Sequence, residues 1–136
     1  MSTQAVPYFP PFAFLKSHLQ FKSTQSEVHV TLSYDAFVRL VQLMARSVDV
    51  NEQWYLAQNP DVAEGIRQGQ FRSAKHHWID FGYLEGRLPY ELTVDSNWYL
   101  TNYPDIAEAV NAATEESALS HYRRTGFLEG RIPGGY

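Results

Sequence analysis

The sequence contains no cysteine at all, which rules out disulfides and thiolate metal centres and leaves the redox compartment open. It also lacks any apolar run long enough to cross a membrane, since a spanning helix needs roughly 18 or more consecutive apolar residues. The first residues, Met1 to Pro7, show no basic stretch followed by an apolar core, so no signal peptide is expected and a cytoplasmic location follows. An excess of positive charge is missing too. The formal net charge is −4, which weighs against nucleic acid as a partner because phosphate binding calls for a basic surface. No glycine-rich phosphate loop and no Gly-x-Ser-x-Gly elbow occurs.

Aromatic residues are abundant instead. They make up 15% of 136 residues, and such side chains dominate both cores and interfaces. For a chain this short, some of them are expected to face a partner.

The strongest pattern is internal. An offset of 44 residues carries Trp54 onto Trp98 and aligns residues 50–89 with 94–133 without a gap. Trp54-Tyr55-Leu56 meets Trp98-Tyr99-Leu100, Pro60-Asp61 meets Pro104-Asp105, and Ser73-Ala74 meets Ser117-Ala118. His77 meets His121, Gly82 meets Gly126, and Leu-Glu-Gly-Arg ends both at Arg87 and Arg131. A recurrence of this kind predicts a tandem repeat. Each unit reads as three short helices. Asn51 and Asp95 are candidate caps of the first, Asn59 with Pro60 opens the second, and Ser73 and Ser117 cap the third. Gly69 is placed at the end of the second helix of the first unit. Gly82 and Gly126 are expected at left-handed helix ends with positive φ.

The apolar stripe Ala74, His77, Trp78, Phe81 marks the buried face of the third helix, with Trp54, Leu56, Val62 and Ile66 completing that core. His77 and His121 are expected to be buried and bonded to backbone at the Glu-Gly-Arg turn rather than to hold a metal, for which ligands are too few. Arg87 and Arg131 are expected to pair within their own units, with Asp61 or Glu64 and with Asp105 or Glu108. Trp54 and Trp98 read as core residues. No catalytic, metal or cofactor residue is identified.

The N-terminal third differs. Residues 1–26 form an aromatic, proline-rich arm, expected to be irregular, with Tyr8, Phe9, Phe12 and Phe14 as a partner surface. Residues 27–48 form a strand–helix segment. Val28, Val30 and Leu32 share one strand face, and Phe37, Leu40, Val41 and Met44 line a helix from Tyr34 to about Ser47. Unless the arm supplies one, the strand has no sheet partner in the chain, and it is expected to pair across a homodimer through these seven residues. Domains are set at 1–26, 27–48, 49–91 and 92–136, in a mainly α protein.

Two resemblances add to this reading. Residues 50–134 resemble a bacterial helical module found beside glycosyltransferase domains for surface polysaccharides. Tyr55-Leu56, Asn59-Pro60-Asp61-Val62, His77-Trp78, Gly82 and Glu85-Gly86-Arg87 follow the order in which that module has Tyr-Leu, Asn-Pro-Asp-Val, His-Tyr, Gly and Glu-Gly-Arg. The resemblance implies a non-enzymatic accessory role in polysaccharide assembly. Residues 27–47 resemble the start of a ribbon–helix–helix protein, which implies a dimer and, as an alternative function, a DNA-binding regulator contacting bases through Glu27, His29 and Thr31. Carbohydrate binding is the other alternative. The leading expectation is a structural or adaptor protein whose partners are its own copy and a further protein, without membrane insertion.

Overall fold

The computed structural model describes residues 8–135. The chain is mainly helical and divides into two compact units at Tyr90/Glu91. Residues 1–7 of the expected arm lie outside the described residues.

The first unit begins with structure that a proline-rich, irregular arm would not form. Pro11 sits just before α1 (Phe12–Ser17), where its extended backbone starts a helix without needing an N–H. Strand β1 (Gln20–Ser23) then pairs antiparallel with β2 (Val28–Thr31) in register Gln20↔Thr31, Phe21↔Val30, Lys22↔His29, Ser23↔Val28. Thr24 closes the hairpin: its N–H donates to the Glu27 carbonyl (2.8 Å) and its Oγ1 accepts from the Glu27 N–H (3.1 Å). The arm therefore supplies the strand's partner within the chain, in place of the pairing across a homodimer. All eight hairpin residues are exposed.

Helix α2 (Tyr34–Ala45) opens on Ser33, whose Oγ accepts from the Ala36 N–H at 3.1 Å. It buries Leu40 and Ala45, while Val41 and Met44 are half-buried and Phe37 is exposed. Three tighter i→i−3 bonds, ending with Val48 N–H to the Ala45 carbonyl, finish it two residues earlier than Ser47.

Three helices follow: α3 (Glu52–Gln58), α4 (Pro60–Arg67) and α5 (Ala74–His77). Helix α5 runs directly into one π-helical turn, Trp78–Gly82, whose wide i→i−5 bonds include Tyr83 N–H to the Trp78 carbonyl at 2.8 Å. The core gathers Tyr55, Val62, Ala74, Trp78 and Ile79 with Ala45 and Val50; Leu56, Ile66 and Phe71 pack against it.

The second unit contains α6 (Ser96–Asn102), α7 (Pro104–Asn111) and α8 (Ala118–His121), the last again extended by a π-turn, Tyr122–Gly126. Each start lies 44 residues beyond its counterpart in the first unit. Tyr99, Ile106, Ala118 and Tyr122 are buried. Both segments tie their ends together in the same way, Asn51 N–H to the Pro89 carbonyl (3.0 Å) and Asp95 N–H to the Pro133 carbonyl (2.8 Å).

Candidate functional site

The caps come first, because they aim everything else. Asn51 Oδ1 accepts from the Trp54 N–H and Asp95 Oδ1 from the Trp98 N–H, both at 3.0 Å. Ser73 and Ser117 likewise accept from His76 and Ser120. Asn59 does not cap α4. Its side chain donates to the Tyr55 carbonyl (2.8 Å) and accepts from Arg87 (2.9 Å).

At the centre of each segment sits a tyrosine, and the sequence reading passed over both. Tyr55 and Tyr99 are fully buried, at 0% exposure, while their neighbours Trp54 and Trp98 are only half-buried. The Tyr55 hydroxyl shares a hydrogen bond with His77 Nδ1 at 2.9 Å, and Tyr99 does the same with His121 at 2.9 Å. The histidines are buried as expected, but their partner is this phenol and not the backbone. Burial pushes the Tyr55 hydroxyl up to about 12. Burial also holds His77 below the usual histidine range, helped by the nearby Arg87 guanidinium. Both effects favour a neutral pair.

Gly82 and Gly126 complete this knot, and the expectation about them is corrected. Positive φ belongs to Gly69, Gly86 and Gly130, not to these two. Gly82 and Gly126 lie in the π-turns, where a β-carbon would run into the hydroxyl of Tyr55 or Tyr99. Glycine is needed there for close approach, not for backbone handedness. The left-handed residue of each Glu-Gly-Arg turn is Gly86 or Gly130, with φ of 77° and 76°.

The arginines clamp the outside. Arg87 forms a two-pronged pair with Asp61 (2.9 and 2.8 Å) and a third bond to Glu85 (2.7 Å). Arg131 repeats this with Asp105 (3.1 and 2.8 Å) and Glu129 (2.7 Å). The hydrogen bonds from Arg87 and Arg131 lower the Asp61 and Asp105 pKa values. Glu64 pairs with Arg67 instead. Where the first segment uses Asn59, the second has Tyr103, whose ring lies 4.8 Å from the Arg131 guanidinium carbon.

Phe81 departs from the predicted stripe. It is 49% exposed, because the wider π-turn rotates that position off the buried face. With Phe71, Arg46, Arg72, His76 and Asp80 it borders an open hollow of about 600 Å³.

The remaining candidates are on the surface of the first unit. Phe21, Val28 and Val30 share one hairpin face, since opposed residues point the same way. All three are exposed, as are Phe9, Phe12, Phe14, Tyr34 and Phe37; Leu32 is half-buried and Leu40 is buried. Tyr8 lies against the Arg46 guanidinium at 5.8 Å. The interface residues named from sequence thus fall partly on exposed surface and partly, at Leu40, in the interior. Among the described residues, no His, Asp and Glu side chains converge as metal ligands, and no helix is long and apolar enough to cross a membrane.

No protein-family model matches this chain, and neither a curated protein nor a solved structure is similar to it.

Proposed function

We propose that this chain is a non-enzymatic assembly protein that works through protein–protein contact, first with its own copy. Residues 50–133 are then two copies of one helical unit serving as the scaffold, and the N-terminal third is the adhesive part. The observation that carries this reading is the uncovered hairpin–helix surface. A two-stranded hairpin alone is marginally stable in water. Among the described residues nothing pairs with its outer edges, and its apolar face holds Phe21, Val28 and Val30 in solvent. Pairing two hairpins edge to edge along β2 makes a four-stranded sheet, satisfies the backbone groups of that edge and sets Val28 and Val30 of the two copies against each other across the seam.

This differs from the dimer expected from sequence, in which β2 paired only with its own copy. That strand now has β1 on one side, and its other edge remains for the cross-dimer ribbon that the ribbon–helix–helix resemblance implies. In contrast, the conspicuous polar groups of the segments are turned inward. Tyr55, His77, Arg87 and their counterparts all spend their bonding capacity within the same segment. The resemblance to modules beside glycosyltransferases makes surface-polysaccharide assembly the setting in which to seek the second partner.

The test is mass in solution by light scattering. At micromolar concentration the wild type should be about twice the 15.6 kDa chain mass. Val30→Asp, which puts like charges into an apolar seam, should give a monomer with an unchanged helical spectrum. A monomeric wild type contradicts the reading.

A further inference from the structure

The hollow beside the first segment is best judged against the same place in the second. The 44-residue offset sets Phe71, Arg72, His76, Asp80 and Phe81 against Glu115, Glu116, Ser120, Arg124 and Thr125. In the second segment the cations there are taken up internally. Arg124 pairs with the buried Glu115, and Arg123 bonds Glu91 (3.0 Å) and the Leu92 carbonyl (3.0 Å).

At the same place the first unit has two cations without an ion pair among the described residues. Among the described residues Arg72 makes no ion pair or side-chain hydrogen bond, and the Arg46 guanidinium lies over the Tyr8 ring without an ion pair. Both border the same hollow, as does His76, whose Nδ1 is engaged by Ser73 Oγ at 2.7 Å. The wall between them is aromatic. Phe81 and Phe71 stand 6.0 Å apart between ring centroids, and Phe81 leaves half its surface to solvent. Asp80 is the one carboxylate on the lining, and it too has no cation partner among the described residues.

We propose that this hollow binds a small carboxylate carried on a flat ring. A guanidinium offers two parallel donors that match a carboxylate, and the exposed phenylalanine offers a face for the ring. Two arginines outweigh one aspartate, so the hollow favours an anion. The second segment, with Thr125 for the ring and its arginines already paired, lacks both halves of such a site.

The experiment titrates the whole protein with benzoate and follows backbone amide resonances. Benzamide supplies the ring without the charge, and acetate the charge without the ring. Benzoate should shift Phe71, Arg72 and Phe81 saturably, with both other probes weaker. The double variant Arg72→Glu/Phe81→Thr carries the residues that a folded segment already holds at these positions. It should unfold at a temperature close to wild type and bind benzoate at least about tenfold more weakly. If that variant fails to fold, Arg72→Gln, which removes only the charge, decides. No saturable shift, equal binding of benzamide and benzoate, or unchanged affinity in a folded variant would overturn the proposal.

Discussion

The described part of the N-terminal third and the centres of the two helical segments use aromatic side chains in opposite ways. Tyr55 and Tyr99 have no exposed surface, and each hydroxyl has a fixed histidine partner. Phe12 and Tyr34, by contrast, are 76% and 75% exposed. In the segments an aromatic residue closes a small core that few other groups could fill. In the hairpin and α2 it stays in water, at a cost that only contact with another surface removes. The difference teaches that complete aromatic burial is concentrated at the centres of the segments. Substitutions at those centres should unfold the chain, and, on the self-association proposed above, substitutions in the hairpin should change what it assembles with.

The largest effect is expected at Gly82 and Gly126. Alanine at either position drives a β-carbon into the tyrosine hydroxyl, breaking a buried hydrogen bond and overpacking the knot. Each should lose about 2–3 kcal/mol in a denaturant melt. If both alanine variants matched the wild type, the close-approach account of these glycines would be wrong.

His77 should give a moderate and pH-dependent effect. Its folded pKa lies below the unfolded value near 6.5, so the unfolded chain takes up a proton that the folded chain refuses. Stability is therefore complete above about pH 6.5 and declines as pH falls toward the folded pKa, by at most roughly 1.4 kcal/mol per pH unit. Denaturation midpoints at pH 7.5 and 5.5 should separate more for the wild type than for His77→Gln. An equal separation would mean that His77 does not titrate differently on folding.

The smallest effect concerns Ala113, at φ 59° the one non-glycine with positive φ among the described residues. It stands where the first segment has Gly69, at φ 75°. Ala113→Gly should relieve left-handed strain and stabilise by about 0.5–1 kcal/mol, read as a rise in melting temperature.

Much of the helical architecture was legible because capping residues announce helix starts. Asn51, Asp95, Ser73 and Ser117 all cap where their spacing to the apolar residues places them. Arg87 was legible for a similar reason, since an isolated cation among acids has few stable places to go. The π-turns were not. A change from i→i−4 to i→i−5 bonding leaves no mark in residue type, and it moved Phe81 outward and Gly82 under Tyr55. Tyr55 was missed because a tyrosine beside a tryptophan reads as the lesser core candidate, whereas a hydroxyl with a buried histidine partner can be buried completely. Strand β1 was missed because Gln20-Phe21-Lys22-Ser23 has a single apolar residue. Its pairing is fixed by the Thr24–Glu27 turn and not by hydrophobic alternation. The hollow's open arginine could have been suspected from the exchange of Arg72 for Glu116 between otherwise matching stretches.

Hydrogen exchange at two protein concentrations tests the division of labour most directly. At high micromolar concentration the amides of Gln20–Ser23 and Val28–Thr31 should be protected by pairing with a second copy. Dilution to nanomolar should release them while the amides around Tyr55 and Tyr99 exchange as slowly as before. Hairpin amides whose exchange ignores concentration would contradict self-association through this surface.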